Sequence, residues 1–456
     1  MPILPIDSGR YGGQKMREIF EEQKKLEYHL HFEAEVARAQ AKLKLIPSNA
    51  AKEIYRVALS KSISLKRIKQ LESVSEHDTA SVIEALTERC SSIAKPWVHY
   101  GLTSNDVIDT STSLQMRDAF AVIEPKLSKL CFLLLEKARK YSRTPAVGRT
   151  HGQHASIISF GLKFAVWANE LAYHIERIEE GRKRFLVCKT LGVVGTGSLM
   201  GSKAIKVQSE VARRLGLTPI DAATQVVPRE RIAEAQFVVS LIGSTLDKIG
   251  TEIRNLQRTE IGEVEEPFRL GQIGSSAVPV KRNPIKSERV SSLARILRSL
   301  LGIALENIPL WHERDLTNSA NERFTLPMSF ILLDEMLDLM LKIFQRLKIN
   351  QQRIKQNLEI TEGQIYSEFL LDALIKKQVP RFSAYRDIQR IAFKATEEQE
   401  HLLDAASKDS SISDKLSDKE LRKIFSPTNH LSASPAIIAN VATKVQKSIS
   451  KITKDR

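Results

Sequence analysis

One segment of the chain combines residue types that could bind and activate a substrate. It contains paired serines followed by a lysine, an arginine and an asparagine. Ser275 and Ser276 lie among the glycines and prolines of the segment from Gly271 to Pro284, and Lys281-Arg282-Asn283 follows them. Hydroxyl, ammonium and amide groups together can bind a carboxylate and stabilise negative charge that develops on it. Asn283-Pro284 alone would suit an ordinary helix N-cap followed by proline at the first helical position. The whole segment favours an anion-handling loop between two long helices.

Two histidines lie three positions apart in a second polar segment, from Val147 to Ala155. They could ligate a metal together, but no third ligand stands at a suggestive distance, and the sequence predicts no metal site. Because imidazole gains and loses a proton near neutral pH, His151 and His154 could instead form an acid/base pair. A surface or core histidine without a catalytic role is the ordinary alternative for each of them.

Two further segments are typical of helix N-termini and also carry groups that could contact a substrate. Thr103-Ser104-Asn105-Asp106 offers hydroxyl and carboxylate oxygens to free backbone amides, and Glu76-His77-Asp78-Thr79 also opens a predicted helix. A simple solvent-facing side chain is the ordinary alternative for His77.

A fourth segment, from Leu310 to Arg323, leads into a long helix predicted to begin near Ser319. Ser319 and Arg323 share a face of the first helical turn, and Arg314 lies just before it. Two guanidiniums and a hydroxyl at a helix N-terminus could bind a phosphate, with bidentate hydrogen bonds from each arginine. A surface network between these arginines and two neighbouring glutamates is the alternative that spacing alone permits.

Long helices must position these loops. The 456 residues include only 20 glycines and 16 prolines, which together make up 7.9% of the chain. These two types average ~12% together in proteins. Between about 229 and 259, apolar residues recur every three or four positions, which predicts a central bundle helix that buries more than one face. The members of this seam are Ala235, Val238, Ile242, Leu246, Ile249, Ile253 and Leu256. Similar helices are predicted over about 107–141, 155–184, 284–305 and 321–347.

The predicted fold is therefore all-α, in three domains. A helical N-terminal domain covers 1–106, a bundle of long helices with the polar loops covers 107–347, and a small helical domain covers 348–456. A glycine-rich segment from Gly192 to Gly201 lacks the glycine spacing of a dinucleotide fingerprint and the lysine of a P-loop. We predict that it is a turn-rich connector.

Composition narrows the class of protein further. Lys and Arg number 69 and Asp and Glu 54, a net charge of +15, but the two signs are interleaved and no nucleic-acid module is recognisable. The basic stretch from Lys444 to Arg456 is interpreted as a solvated helix face. Three distant cysteines predict no disulfide framework. Because there is no apolar run of membrane length and no export signal, we expect a cytoplasmic protein.

These polar segments resemble, in order along nearly the whole chain, the motifs of the fumarase/aspartase superfamily. Gly274 to Pro284 matches its signature, glycine-serine-serine-x-x-proline-x-lysine-x-asparagine-proline, at every fixed position. Thr150-His151-Gly152 is similar to its threonine-histidine-glycine motif in the form found in adenylosuccinate lyases. The segment from Arg314 to Arg323 resembles the nucleotide-phosphate site of that family, which fumarase and argininosuccinate lyase do not need. Other positions that match the family pattern are Arg10, Tyr11, His77, Asp78, Thr103, Ser104, Gln225 and Arg289.

The resemblance implies a β-elimination that releases fumarate from adenylosuccinate, giving AMP, and from the succinyl-carboxamide ribonucleotide SAICAR, giving AICAR. It implies Ser275 as the general base and His151 as the general acid, assisted by His77 and Lys281. Substrate binding is implied for Arg10, Tyr11, Asp78, Thr103, Ser104, Thr150, Gln225, Ser276, Asn283, Arg289, Arg314, Ser319 and Arg323. The family further implies no metal or organic cofactor, and a homotetramer whose helical core joins four subunits and whose active sites each use three chains.

Departures from the family pattern are few. Val278 and Val280 stand where methionine and histidine are common, and Asn105 stands where serine is frequent. These positions concern fine substrate contacts. Another superfamily lyase, such as argininosuccinate lyase, fumarase or a carboxymuconate cycloisomerase, would share the serine loop but has no reason for the phosphate cluster. A basic helical nucleic-acid-binding scaffold would explain the net charge but not the ordered motifs.

Overall fold

The computed structural model describes residues 4–269 and 271–454, and for residues 451–454 it describes the backbone alone. Helices dominate these residues. Their bounds are α1 (Gln14–Phe20), α2 (Glu22–Lys42), α3 (Ser48–Leu59), α4 (Leu65–Ser75), α5 (Asp78–Glu88), α6 (Ser104–Lys140), α7 (Phe160–Phe185), α8 (Ala204–Leu215), α9 (Glu230–Leu256), α10 (Ile285–Glu306), α11 (Ser319–Arg346), α12 (Gln351–Glu359), α13 (Ser367–Lys376), α14 (Arg381–Glu397), α15 (Leu402–Lys408), α16 (Ser410–Ser413), α17 (Asp418–Ile424) and α18 (Ser434–Lys454).

The long helices predicted from apolar periodicity are present. Helix α9 occupies most of the expected range, and all seven residues of its apolar seam are buried. Val239, which lies off the seam, is buried as well. The prediction that this helix buries more than one face is therefore confirmed, as a helix inside a bundle requires.

A β-hairpin carries the histidine motif, so the helix predicted from residue 155 was wrong in its first turn. Strand β1 (Pro145–Thr150) pairs antiparallel with β2 (Gln153–Ser159), and α7 begins only at Phe160. His151 and Gly152 form the two-residue connection, with φ of 53° and 78°. Positive φ at both central residues matches a type I′ turn, whose twist suits a hairpin. The apolar residues of β2 find their partners in β1, and helical periodicity does not reveal that pairing.

Other strands are short. Strand β3 (Val187–Cys188) runs parallel to β4 (Thr218–Pro219), and β5 (Val264–Glu265) runs antiparallel to β6 (Lys348–Ile349). Each pairing joins two residues to two. They fasten loops to one another and form no extended sheet.

The described residues divide into two compact units. The first contains the chain up to Leu127 with His174–Asp247 and Val290–Asp338, and the second contains Ser128–Tyr173, Lys248–Arg289 and the chain from Leu339 onward. Every boundary falls inside one of the long helices α6, α7, α9, α10 and α11. The division into three domains drawn from the sequence stays a prediction.

Each unit has its own aromatic core. In the first, Phe120 contacts Phe185 and Phe330 at ring-centroid distances of 5.3 and 5.1 Å. In the second, Phe164 packs edge-on against Trp167 at 5.3 Å. A smaller cluster in the second unit buries Val147 and Ile157 of the hairpin with Leu358, Ile365, Tyr366 and Leu431. This cluster holds the base of the hairpin in place.

The two ends of the chain lie partly outside the described residues. Met1 to Ile3, Asp455 and Arg456 are outside, so the interpretation of the basic C-terminal stretch is tested only in part. Lys444, within α18, donates a hydrogen bond to the Tyr173 hydroxyl at 2.6 Å and lies over that ring. In the parts of the chain that are described, no helix is at once long enough and apolar enough to cross a membrane.

Acidification is expected to destabilise the first unit through His29. This residue of α2 is buried, and burial, reinforced by the charge of Lys25, lowers its pKa to about 3. An unfolded histidine takes up a proton near pH 6.5, so the stability that His29 contributes is present above that pH and is lost as pH falls. Between pH 7 and pH 5 the loss is on the order of 2 kcal/mol.

Urea unfolding at both pH values would measure this loss, and His29→Leu is the control because leucine does not titrate. Wild-type protein should lose more stability between the two pH values than the leucine variant does. Equal losses in the two proteins would contradict the prediction.

Candidate active site

The serine loop of the second unit is folded back on itself. Ser275 is half-buried, and its Oγ accepts hydrogen bonds from the backbone amides of Ala277 at 3.3 Å and Val278 at 3.1 Å. Gly274 lies so close to the Lys281 carbonyl that an added Cβ would stand 2.1 Å from that oxygen. The glycine of the signature is therefore required by a close backbone approach. Two amides that point at one serine oxygen also favour negative charge on it.

Asn283 supports this loop and does not cap the following helix. Its side-chain amide donates to the Gly274 carbonyl at 2.8 Å, which ties the two ends of the loop together. Helix α10 begins at Ile285, and Glu266 takes the capping role by accepting from the Ser287 amide at 2.8 Å and the Lys286 amide at 3.2 Å. The predicted asparagine cap was wrong, because a carboxylate from outside the segment reaches the amides and also favours the positive end of the helix dipole.

The other predicted residues near this loop are more accessible. Ser276 and Lys281 are exposed, and Arg289 is half-buried in the first turns of α10. Neighbouring Arg282 pairs with Glu265 at 2.8 Å. Of the two cations in the loop, Lys281 is thus the one that could meet a substrate carboxylate.

The hairpin presents His151 and Thr150 at its exposed tip. Behind the tip, Arg149 donates to Glu263 at 2.8 Å, and Asn357 donates to the same carboxylate oxygen at 2.9 Å. Glu263 is fully buried. Sequence reasoning missed this anchor, and only the position of Arg149 beside the histidine motif could have signalled it.

His154 does not share the environment of His151. It pairs across the hairpin with Arg149 and is half-buried. Burial, followed by the charge of Arg149, lowers the pKa of His154 below its ordinary value. The two histidines therefore lie in different environments, with His151 exposed at the tip and His154 half-buried, and their acid/base role stays a hypothesis. Within residues 4–269 and 271–454, no three His, Cys, Asp or Glu side chains are grouped as a metal site would require.

In the first unit, the threonine-serine segment begins α6 as the sequence predicted. Thr103 precedes the helix, and its amide donates to the Asp106 carboxylate at 2.8 Å. Asp106 also accepts from the amides of Leu191 and Gly192 at 3.1 and 3.0 Å, and from the buried Lys189 ammonium at 2.5 Å. One carboxylate thereby joins the threonine-serine turn to the glycine-rich connector.

His77 caps α5 and faces the same turn. Its Nδ1 accepts from the Ala80 amide at 3.3 Å, so a neutral ring carries its proton on Nε2. That nitrogen lies 3.4 Å from the Ser104 hydroxyl. His77 and Ser104, assigned to one site from their family positions, are thus brought together.

Asp78 joins this group to Arg323 of α11. It pairs with Arg323 at 3.0 Å. Burial raises the pKa of Asp78, but the charge of Lys25, an amide hydrogen bond from Thr79 and the charge of Arg323 together bring the pKa below its ordinary value. The carboxylate is therefore ionised at neutral pH and holds the exposed Arg323 side chain.

The remaining predicted residues of this unit lie around the start of α11. Half-buried Arg314 donates to the Gln225 side-chain oxygen at 2.9 Å, and Ser319 is the first residue of the helix. Near the N-terminus, Arg10 is exposed and Tyr11 half-buried. The surface arginine–glutamate network was the wrong alternative for Glu322, because this residue pairs with buried Arg229 at 3.0 Å.

Comparisons with known proteins give these motifs a context. A family model described as "Lyase" matches residues 9–297, and one described as "Adenylosuccinate lyase C-terminus" matches residues 363–441. Adenylosuccinate lyase of Methanocaldococcus jannaschii is 42% identical over 442 residues, which cover 97% of this chain and 96% of that protein. Adenylosuccinate lyase of Pyrococcus abyssi is 43% identical over 447 residues, which cover 98% and 99%.

Solved structures of enzymes that are named for different activities have the same fold. A 3-carboxy-cis,cis-muconate lactonizing enzyme from Pseudomonas putida matches with a TM-score of 0.88 and 30% identity, over 98% of this chain and all of that one. A fumarate lyase from Mesorhizobium sp. BNC1 matches with a TM-score of 0.88 and 29% identity, over 96% and 99%. The fold is thus compatible with several reactions, and the residues of the site must discriminate among them.

Proposed function

Because the chain belongs to the adenylosuccinate lyase family, a family of enzymes within the fumarase/aspartase superfamily, we propose that it releases fumarate from adenylosuccinate and from SAICAR. The observation that carries this proposal is the conjunction of that near full-length similarity with Arg314, Ser319 and Arg323 at the start of α11. Two guanidiniums at a helix N-terminus suit the phosphate of a nucleotide substrate. Argininosuccinate and carboxymuconate carry no phosphate.

The proposed reaction begins with proton removal by Ser275. Ser275 first gives its hydroxyl proton to solvent, and the amides of Ala277 and Val278 stabilise the resulting alkoxide. The alkoxide then takes the proton from the carbon beside a succinyl carboxylate and becomes a neutral hydroxyl again. Negative charge then develops on that carboxylate, which Lys281 and Asn283 would bind. The electron pair of this carbanionic intermediate then forms the carbon–carbon double bond of fumarate as the carbon–nitrogen bond breaks. The electrons of the broken bond go to the departing nitrogen, which His151 protonates.

Substrate binding is proposed for the groups of the first unit. Thr103, Ser104 and Gln225 would bind carboxylate, while Arg314, Ser319 and Arg323 would bind phosphate. Asp78 would orient Arg323, and His77 would assist the acid or contact the phosphate. Arg10 and Tyr11 are proposed to reach the phosphate as well, and Thr150, Ser276 and Arg289 to contact substrate.

We further propose a homotetramer with active sites that each use three chains. Apolar side chains on long helices support an oligomer: Phe237 of α9 is 48% exposed, and Ile296 and Ile303, seven positions apart on α10, are each 39% exposed. Apolar groups on one helix face are typical of a surface that another chain covers. Light scattering of the purified protein should give about four chain masses. The cytoplasm as the place of action stays a prediction.

Turnover of adenylosuccinate by the purified protein is the test of the proposed activity. The ultraviolet change and fumarate release should both appear with adenylosuccinate and SAICAR. Succinyladenosine, which lacks the phosphate, should be a far poorer substrate, because each lost charge-assisted contact is worth roughly 1.5–3 kcal/mol. Turnover of argininosuccinate or malate without turnover of adenylosuccinate would move the assignment to another superfamily reaction.

A further inference from the structure

A buried ion triad lies behind the proposed substrate contacts of the first unit. Arg229, only 3% exposed, is placed between two carboxylates. Its Nη2 lies 3.0 Å from Asp109 Oδ1, and its Nε lies 3.0 Å from Glu322 Oε1. The first contact is a hydrogen bond, whereas the second is an ion pair without hydrogen-bond alignment. Two negative groups therefore share one buried guanidinium, and of the two carboxylates Asp109 is buried and Glu322 is partly exposed.

The triad also fixes the backbone beside Gln225. Asp109 Oδ2 accepts from the Val227 amide at 2.7 Å, and Arg229 Nη1 donates to the Val227 carbonyl at 2.8 Å. The short segment from Gln225 to Arg229 is thereby held from both sides. Its conformation depends on the same two charged residues that form the ion pair.

Each member of the triad is close in sequence to a proposed substrate contact. Asp109 lies on α6 one and a half turns after Ser104, and Arg229 follows Gln225 by four positions. Glu322 lies in the first turn of α11, between Ser319 and Arg323. The triad thus connects three elements, two with proposed carboxylate contacts and one with proposed phosphate contacts.

Stability alone is a weak explanation for such a triad. Removing charged groups from water is costly, and well-packed apolar residues in their place are often as stable or more so. Burial raises the pKa of Glu322 despite the opposing charge of Arg229. An ion triad can also fix the register between the elements that carry it.

We propose that Asp109, Arg229 and Glu322 are positioning residues that set the distance between the carboxylate and phosphate contacts. They thereby determine that the enzyme prefers a succinylated nucleotide to the corresponding nucleoside. This inference rests on the proposed function for its substrates. The direct Arg314–Gln225 hydrogen bond is the point where the two sets of contacts meet. The triad holds the backbone of the segment that carries Gln225.

Glu322→Gln tests the proposal because glutamine keeps the shape and removes the charge that binds Arg229. We expect KM for adenylosuccinate to rise roughly tenfold, the size of one weakened charge-assisted contact, while kcat changes less than twofold. KM for succinyladenosine should stay within twofold of wild type. The matched control is Glu313→Gln, since Glu313 is exposed in the same segment and lies outside the triad. Its kinetics should match wild type with both substrates.

Glu322→Asp is the second variant, because it keeps the charge and withdraws it from Arg229. It should show the same phosphate-dependent defect in smaller measure, even where the glutamine variant folds poorly. Equal losses with nucleotide and nucleoside, or wild-type kinetics in both variants, would overturn the positioning role.

Calorimetric binding of adenylosuccinate and succinyladenosine to Ser275→Ala protein, in which the proposed base is removed, separates this inference from the proposed activity. Adding Glu322→Gln should lower the affinity for adenylosuccinate roughly tenfold and leave the affinity for succinyladenosine unchanged. That result would support the positioning role even if the wild-type protein left adenylosuccinate intact, whereas an unchanged affinity for adenylosuccinate would overturn it even if the wild-type protein cleaved adenylosuccinate normally.

Discussion

Replacing Ser275 with alanine should lower kcat for adenylosuccinate by roughly 100- to 10,000-fold, the range that a positioned general base contributes. Alanine keeps the backbone of the loop, including the amides of Ala277 and Val278, and removes only the oxygen that they hold. KM should change little, because the proposed carboxylate and phosphate contacts all remain. A loss confined to kcat is the signature of a group that acts in the transition state.

The measurement is steady-state fumarate release by purified wild-type and variant enzyme. Ser73→Ala is the matched control, since this exposed serine bonds only within its own helix, to the Gln70 carbonyl. Thermal melting should give the same midpoint for all three proteins. Near-normal turnover by Ser275→Ala would remove the serine from the mechanism and leave the family assignment in place.

The helical fold could be predicted because its signal is local. The spacing of Ala235 to Leu256 placed a bundle helix, and the structure places α9 there with those side chains buried. Few glycines and prolines limited the number of turns. Such patterns are repeated every three or four residues, so a single sequence contains them in full.

The hairpin and the helix cap were missed because their determinants are distant in sequence or ambiguous. Ile157 and Ile158 suit a buried helix as well as a strand, and only pairing with Val147 and Ala146 decides between them. Likewise, Asn283 is a residue type suited to an N-cap. Glu266, some twenty positions upstream, instead accepts hydrogen bonds from the first amides of the helix. Sequence spacing cannot show whether a nearby asparagine or a distant glutamate will cap the helix.

The residues of the candidate site were likewise predictable only in part. The resemblance supplied residues that would touch substrate, because family motifs are short and continuous. It did not supply the buried partners that hold them, such as Glu263 behind the His151 hairpin or Arg229 beside Gln225. These partners pair across 114 and 120 positions of the chain. In the sequence these residues cannot be distinguished from exposed Glu and Arg, because only the fold shows that they are buried.

Lys189 is the buried partner whose loss should cost the most stability. It and Asp106 are both fully buried, and their side chains lie 2.5 Å apart. Removing one member of such a pair leaves the other charge uncompensated, which typically costs about 3–5 kcal/mol. Lys189→Met should fall near the lower end of that range, because Asp106 keeps the amides of Thr103, Leu191 and Gly192.

Denaturant unfolding of five proteins would measure this cost: wild type, Lys189→Met, Asp106→Asn, the double variant that combines them, and Lys376→Met. Lys376→Met is the matched control, since Lys376 makes an exposed ion pair with Asp372 on one helix face, where solvent screens the charges, and its midpoint should not move. In the double variant Asp106→Asn/Lys189→Met the stability should be higher than the two single losses predict, because neither charge is left alone. Additive losses would mean that the two side chains stabilise the turn independently. Non-additive losses would instead show that one buried charge pair connects the threonine-serine turn to the glycine-rich connector.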